Sequence, residues 1–303
     1  MENYDPHCAE VQTYAKLNLT LEVLHRRPDQ FHELRSVVQT VSLADRLTVK
    51  PGLQGTKLRL SGFPVPGGDD NLAMVAIRQA AARLGISRDL ELSLQKNIPA
   101  GRGLGGGSSN AAGVLQALAC VYGWRLNPDG LASIAAELGC DVPLFLHGGT
   151  LLMSGRGESL QFLGQDPAPV NFVVTWPEVG VPTEMAYSLL EPDQDFTDGE
   201  RTRQLWEYLQ TGQPPRAEMT YNCFQRVVFR RWPEVAALHD RLSQLAGAPA
   251  CLTGSGSALF VITDHADEVA ANLRSEGRAA HVVSPTPYGQ LLQCRPLEED
   301  ENV

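Results

Sequence analysis

Ile98-Pro-Ala-Gly-Arg-Gly-Leu-Gly-Gly-Gly-Ser-Ser-Asn-Ala-Ala112 sets five glycines between a short strand-like run and a helix-like run. Glycine tolerates positive φ and lets another group approach the backbone closely. A glycine loop running into a helix start aims several N–H groups at one place, which also sees the positive end of the helix dipole. The stretch reads as a phosphate cradle built from Pro99, Ala100, Gly101, Arg102, Gly103, Leu104, Gly105, Gly106, Gly107, Ser108 and Ser109. It is not a P-loop, because Ser108 and Ser109 follow the glycines without a Gly-Lys-Ser/Thr ending. Gly101-x-Gly103-x-x-Gly106 matches the dinucleotide fingerprint in the wrong context. The run before it, Leu90-Glu-Leu-Ser-Leu-Gln95, alternates apolar and polar, whereas a Rossmann first strand is apolar throughout. No strand-end acid for a ribose follows about twenty residues on. The plain alternative is a flexible surface turn, for which so many glycines entering an apolar-striped helix are an expensive device.

The chain has 303 residues, 43% hydrophobic and 20% charged, an ordinary soluble composition with room for two domains. Its net charge of -10 argues against general nucleic-acid binding, yet leaves room for an anionic small substrate held by a local basic cluster. Cys8, Cys120, Cys140, Cys223, Cys251 and Cys294 form no Cys-x-x-Cys pair. They read as reduced, cytoplasmic thiols rather than a disulfide frame or a zinc site. The acidic start lacks the apolar core of a secretory signal, and no apolar run is long enough to span a membrane.

Val11 to Val23 reads as one strand with Lys16 and Asn18 on a shared face. A cation-rich turn, His25 to His32, leads to strands at Val37–Leu43 and Arg46–Val49. Asp70 is placed to cap a helix from Asn71 to Leu84, which Gly85 stops. Beyond the cradle a helix spans Ala111–Val121, and another starts at Asn127-Pro128 and ends at Gly139. Asp141 then falls in a tight turn, with strands at Leu144–Leu146 and Thr150–Met153. In the second half Asn171–Trp176 is strand, and Thr183 caps a helix from Glu184 to Leu190. An acidic linker covers Pro192–Glu200, and further helices are expected at Arg201–Leu209, Asn222–Arg230 and Pro233–Leu245. Ala250–Ile262 is a strand, a glycine turn and a second strand; a helix from Asp267, a strand at His281–Val283 and a loose tail from Glu298 complete the chain. Strands and helices mix without regular alternation, which predicts an α+β fold of two domains, 1–160 and 161–303.

Three stretches, Ala15-Lys-Leu-Asn-Leu19, the Gly101–Ala112 loop and Leu252-Thr-Gly-Ser-Gly-Ser-Ala258, resemble the three ordered motifs of the GHMP small-molecule kinases. Arg27-Pro-Asp-Gln-Phe-His32 and Gly139-Cys-Asp-Val-Pro143 narrow the resemblance to a member acting on a cytidylyl substrate. The resemblance implies a two-domain kinase with the glycine loop in an N-terminal ATP-binding domain and the substrate site in the cleft. It implies ATP, Mg²⁺ without an assigned protein ligand, and phosphorylation of the 2-hydroxyl of CDP-methylerythritol. Phosphoryl transfer to an alcohol is chiefly positioning and charge stabilisation. Asp141 is implied as general base and Lys16 as its partner. Asn18, Phe31, His32, Thr183, Tyr187, Gly254, Ser255 and Gly256 are implied around the substrate, with Phe31 stacking on cytosine, His32 hydrogen-bonding it and Tyr187 as a second aromatic wall. The chain departs from that pattern at Gln30, where glycine is usual, and at Phe31, where tyrosine is usual. Arg102 adds a cation within the loop. The competing readings are another kinase of the family, a dinucleotide-dependent oxidoreductase and a non-catalytic phosphate-binding module.

Overall fold

The computed structural model describes residues 7–86, 88–122 and 128–296. Asn127 of the expected helix start and the tail from Glu298 lie outside these. The elements run β1 (His7–Asn18), β2 (Thr20–Arg26), β3 (His32–Pro51), β4 (Lys57–Gly62), α1 (Leu72–Leu84), β5 (Leu90–Lys96), α2 (Gly106–Val121), α3 (Pro128–Leu138), α4 (Val142–His147), β6 (Thr150–Gly155) and β7 (Ser159–Phe162). There follow β8 (Phe172–Thr175), α5 (Thr183–Ser188), α6 (Pro192–Asp195), α7 (Glu200–Leu209), β9 (Tyr221–Asn222), α8 (Gln225–Arg231), α9 (Pro233–Ala246), β10 (Cys251–Leu252), β11 (Leu259–Ile262), α10 (Ala266–Ser275), β12 (Ala280–Val283) and β13 (Gln290–Pro296).

The fold is α+β, and the described residues form a nine-stranded and a four-stranded sheet. β3 organises the larger one. Its 20 residues pair with β1, β2, β5 and β6, all antiparallel. β13 returns from the far end of the chain to pair with β1. The small sheet has the order β10-β11-β8-β12. Helices α1 to α4 cover the large sheet through Leu47, Ile77, Leu92, Leu115 and Phe145, and α8 to α10 bury Val227, Leu238 and Val269 with Leu252 and Leu259. A third apolar cluster, including Leu17, Val37, Leu104, Phe172 and Phe260, joins the two sheets. Each such side chain contributes about 1.5–3 kcal/mol by leaving water.

Several expectations need correction. The strand expected over Val11–Val23 breaks at Leu19, and the two expected after Val37 are one continuous β3. Asn71, not Asp70, caps α1: its side chain accepts from Ala73 N–H. Thr183 lies inside α5, and Pro182 precedes it as the cap. Asn222 is in strand, with its helix starting at Gln225. The acidic linker contains the single turn α6, where buried Asp195 accepts two hydrogen bonds from Arg226 at 2.7 and 2.6 Å. Leu144–Leu146 is helix, not strand. A short apolar run fits either state, and here Pro143 stands in the first turn while Val142, Leu144 and Phe145 are buried. The cysteines are not all reduced. Cys120 and Cys294 form a disulfide across 174 residues; β13 carries Cys294 back to β1, on which α2 packs, a meeting no local spacing announces.

Candidate active site

The glycine loop, the Thr253–Gly254 loop and the end of β1 meet here, and glycine is what lets their backbones touch. Gly103, at φ 79°, faces Thr253: a Cβ added to it would lie 2.1 Å from the Thr253 carbonyl oxygen. The Lys16 N–H donates to the Leu104 carbonyl at 3.0 Å, and the Ala258 N–H to the Arg102 carbonyl at 3.1 Å. Asn18 ties all this together. Its backbone N–H donates to Thr253 Oγ1 at 3.0 Å, its Oδ1 accepts the Gly254 N–H at 3.0 Å, and its Nδ2 donates to Ser36 Oγ at 2.8 Å. Asn222 secures the Thr253–Gly254 loop from behind, donating to the Leu252 and Gly254 carbonyls at 2.8 Å each.

The helix after the cradle begins at Gly106, five residues earlier than the apolar stripe suggested, so the last glycines form its first turn. Two cavities open on this junction. The larger, about 490 Å³, is lined by Pro99 to Ser108, together with Val65, Pro66, Asn71 and Lys96. The smaller, about 190 Å³, holds Lys16, Asn18, Asp141, Arg156, Tyr187, Gly254 and Ser255. Gly103, Gly105 and Thr183 line both. A Cβ on Gly105 would lie 2.6 Å from the Phe145 ring and 3.0 Å from Lys16 Cγ. The absence of that carbon brings Lys16 and α4 up against the loop.

Asp141 caps α4, yet its carboxylate makes no capping hydrogen bond. Pro143 removes one of the first-turn N–H groups an N-cap side chain would engage. The carboxylate is one-third exposed, with Oδ2 4.0 Å from Lys16 Nζ. Lys16 is buried and also donates to Asn18 Oδ1. Burial holds its pKa below the ordinary lysine value, with the Asp141 charge opposing. Thr183 Oγ1 and Ser255 Oγ are 3.0 Å apart. The arrangement can orient a hydroxyl at Asp141, beside an ammonium, against a loop of N–H donors.

Not every expected residue lines these cavities. Phe31 is 54% exposed and sits under the Arg156 guanidinium, 5.0 Å from its ring centroid. His32 stacks on Tyr187 at 5.1 Å and meets the edge of Phe196 at 5.8 Å; burial, then Arg26, lowers its pKa. Burial raises the Tyr187 phenol. Gly256 turns toward Leu252, and Ser109 is buried inside α2, its carbonyl accepting from Gln290. Arg102 does line the larger cavity, and its guanidinium donates to Ser257 Oγ at 3.0 Å and to the Glu178 carbonyl. Gln30 takes φ 71°, the positive φ that the usual glycine would accept without strain.

Two residues escaped the sequence reading. Arg156, after β6, adds a cation to the smaller cavity, and no pattern around it marked it. Lys96 was legible in principle: in β5 it shares the buried parity of Leu90, Leu92 and Leu94. A lysine on that parity must have buried partners. Among the described residues no group of three His, Cys, Asp or Glu converges to hold a metal.

Residues 71–149 match the GHMP kinases N terminal domain and 207–279 the GHMP kinases C terminal domain. The 4-diphosphocytidyl-2-C-methyl-D-erythritol kinase of Pelotomaculum thermopropionicum is 36% identical over 264 residues, 86% of this chain and 92% of that protein. The protein of the same name from Thermotoga maritima is 37% identical, over 86% of this chain and 94% of that one. A crystal structure of 4-(cytidine 5'-diphospho)-2C-methyl-D-erythritol kinase superposes with a TM-score of 0.76 at 34% identity, covering 91% of this chain and 98% of that one. Homoserine kinase from Cytophaga hutchinsonii shares the fold at a TM-score of 0.67 and 16% identity. The protein is therefore a phosphotransferase of the GHMP kinase class. Within that class, the chain belongs to the 4-diphosphocytidyl-2-C-methyl-D-erythritol kinase family.

Proposed function

We propose that the protein transfers the γ-phosphoryl group of ATP to the 2-hydroxyl of 4-diphosphocytidyl-2-C-methyl-D-erythritol, a step of non-mevalonate isoprenoid precursor synthesis. The observation that carries this reading is the shared wall of the two cavities. Gly103, Gly105 and Thr183 stand between a large glycine-lined space and a smaller one holding Lys16 and Asp141, so a donor phosphate and an acceptor hydroxyl would meet there across a wall to which the glycine loop adds no side chain. ATP occupies the larger cavity, its phosphates on the loop N–H groups at the start of α2. Asp141 orients the 2-hydroxyl and takes its proton late in the transfer, while the Lys16 ammonium stabilises the charge that develops.

The diphosphate lies toward Gly254 and Ser255, with Arg156 as a further cation, and the cytosine lies toward His32 and Tyr187. Phe31 would reach the base only by leaving Arg156. Among the described residues no group of three His, Cys, Asp or Glu forms a metal cage; Mg²⁺ would be held chiefly by the phosphates and the water it commonly keeps. Residues up to about 160 form the ATP-binding part, joined by β13, and the rest the second part, with the substrate between them. The reaction belongs to the cytoplasm, with no nucleic-acid partner.

ADP release should require this cytidylyl substrate and fail with mevalonate, homoserine or galactose. Asp141→Asn should lower kcat by at least about 10²-fold while leaving the ATP dissociation constant within twofold. Full turnover in that variant would remove Asp141 from the mechanism.

A further inference from the structure

Beneath the cradle lies a buried polar cluster that none of the proposed roles uses. Lys96, at the end of β5, has a side chain 2% exposed, and Asp45, in the middle of β3, is fully buried. Lys96 Nζ donates to Asp45 Oδ2 and, at 2.8 Å, to Asn110 Oδ1. Asp45 Oδ1 accepts the backbone N–H groups of Asn97 at 2.7 Å and Ile98 at 2.8 Å. Asn110 Nδ2 donates to Asp45 Oδ2 at 2.9 Å and to Thr13 Oγ1 at 2.8 Å. Asp45 thus holds the residues entering the glycine loop and, through Asn110, the second turn of the helix leaving it.

The ammonium lies directly against the loop. A Cβ on Gly106 would be 3.2 Å from Lys96 Nζ, and Lys96 lines the larger cavity. Burying such a pair is a weak source of stability, because desolvation offsets most of the attraction. Its geometry does something apolar packing could not. A carboxylate taking two successive backbone N–H groups and an asparagine fixes the separation and orientation of both loop ends. Loop N–H groups serve phosphate only if they are aimed before it arrives, since ordering them on binding costs affinity.

We propose that Asp45, Lys96 and Asn110 are positioning residues that pre-set the glycine loop for the triphosphate. This rests on the reading of the larger cavity as the ATP site. An apolar replacement of the pair should keep the fold and lose the aim.

The test is calorimetric titration of ATP, and separately of the cytidylyl substrate, into the wild type, Asn110→Ala, Lys96→Met, and the double variant Asp45→Leu with Lys96→Met, each with its thermal midpoint. Lys96→Met alone leaves a buried carboxylate unpaired and should be strongly destabilised. The double variant should recover most of the midpoint yet bind ATP at least tenfold more weakly than wild type, with cytidylyl affinity within about threefold. Asn110→Ala, which leaves the ion pair in place, should also weaken ATP by several-fold. A double variant that recovers both midpoint and ATP affinity, or an Asn110→Ala protein with wild-type ATP affinity, would overturn the proposal. Wild-type protein that binds no ATP would instead sink the reading of the cavity.

Discussion

Replacing Gly103 by alanine tests the contact between the cradle and the Thr253–Gly254 loop, and Gly101 supplies the control. Both glycines have positive φ, 79° and 66°. Alanine at either therefore carries the left-handed backbone penalty, about 1–2 kcal/mol. They differ in what the new methyl meets. At Gly101 nothing lies within 4 Å. At Gly103 the methyl would sit 2.1 Å from the Thr253 carbonyl oxygen, a backbone atom that cannot rotate away. Ordinary contact begins near 3.4 Å, so the two loops must part by about 1 Å. That movement strains two buried hydrogen bonds made by Asn18, to the Gly254 N–H and to Thr253 Oγ1. Each is worth about 0.5–1.5 kcal/mol net.

The expected loss is therefore about 1–2 kcal/mol for Gly101→Ala and about 2–5 kcal/mol for Gly103→Ala. Urea unfolding measures both. Gly103→Ala should also weaken ATP and the cytidylyl substrate together, because its wall serves both cavities. If the two variants unfold within about 0.5 kcal/mol of each other, the loops are not in contact and the shared wall is wrong.

Lys16 gives a pH prediction. Burial favours its neutral amine, so it releases its proton below the ordinary 10.5, and kcat should fall as pH climbs through that depressed value. Lys16→Arg should carry this alkaline limb out of range if it retains activity. Stability should slope the other way: between the depressed value and 10.5 the unfolded chain binds the proton more tightly, so the Lys16 contribution grows with pH and is absent from Lys16→Met. At Gln30, with φ 71°, thermal midpoints should rank Gly at or above Gln and both above Val, which adds a β-branched penalty of roughly 1 kcal/mol or more; a valine variant equal to wild type would mean the turn relaxes to another shape.

How much of this was legible depended on whether the signal was local. The glycine loop was readable because five glycines before an apolar stripe have few other uses, and Lys16 and Asn18 because alternation puts both on one face. The start of α2 was misplaced because glycine is a poor helix former; its first turn is helical through tertiary packing, with Gly106 against Ile98 and Gly107 against Leu72. Leu144–Leu146 was misread because a short apolar run has no period of its own. The Cys120–Cys294 disulfide and the identity of Asp45 as the partner of Lys96 were out of reach for another reason. They depend on which strands lie side by side, and β13 returns to β1 from the other end of the chain.

The net charge of -10 is at odds with two polyanionic substrates only if charge is averaged over the chain. Each cation at the junction is already engaged: Lys16 with Asn18 and Asp141, Lys96 with Asp45 and Asn110, Arg102 with Ser257 and a carbonyl, Arg156 with Glu158 and the Phe31 ring. A site of that kind offers little bare positive charge for distant steering. Its attraction comes from N–H groups and half-compensated cations held a few ångströms from where phosphate would lie, and it acts mainly on an anion already inside. The acidic exterior then weakens non-specific anion binding while leaving the interior field largely intact, because exposed charges more than about 10 Å away are screened at ordinary salt and buried ones are not. Affinity for ATP should accordingly depend far more on Asp45, Lys96 and the loop glycines than on any surface charge.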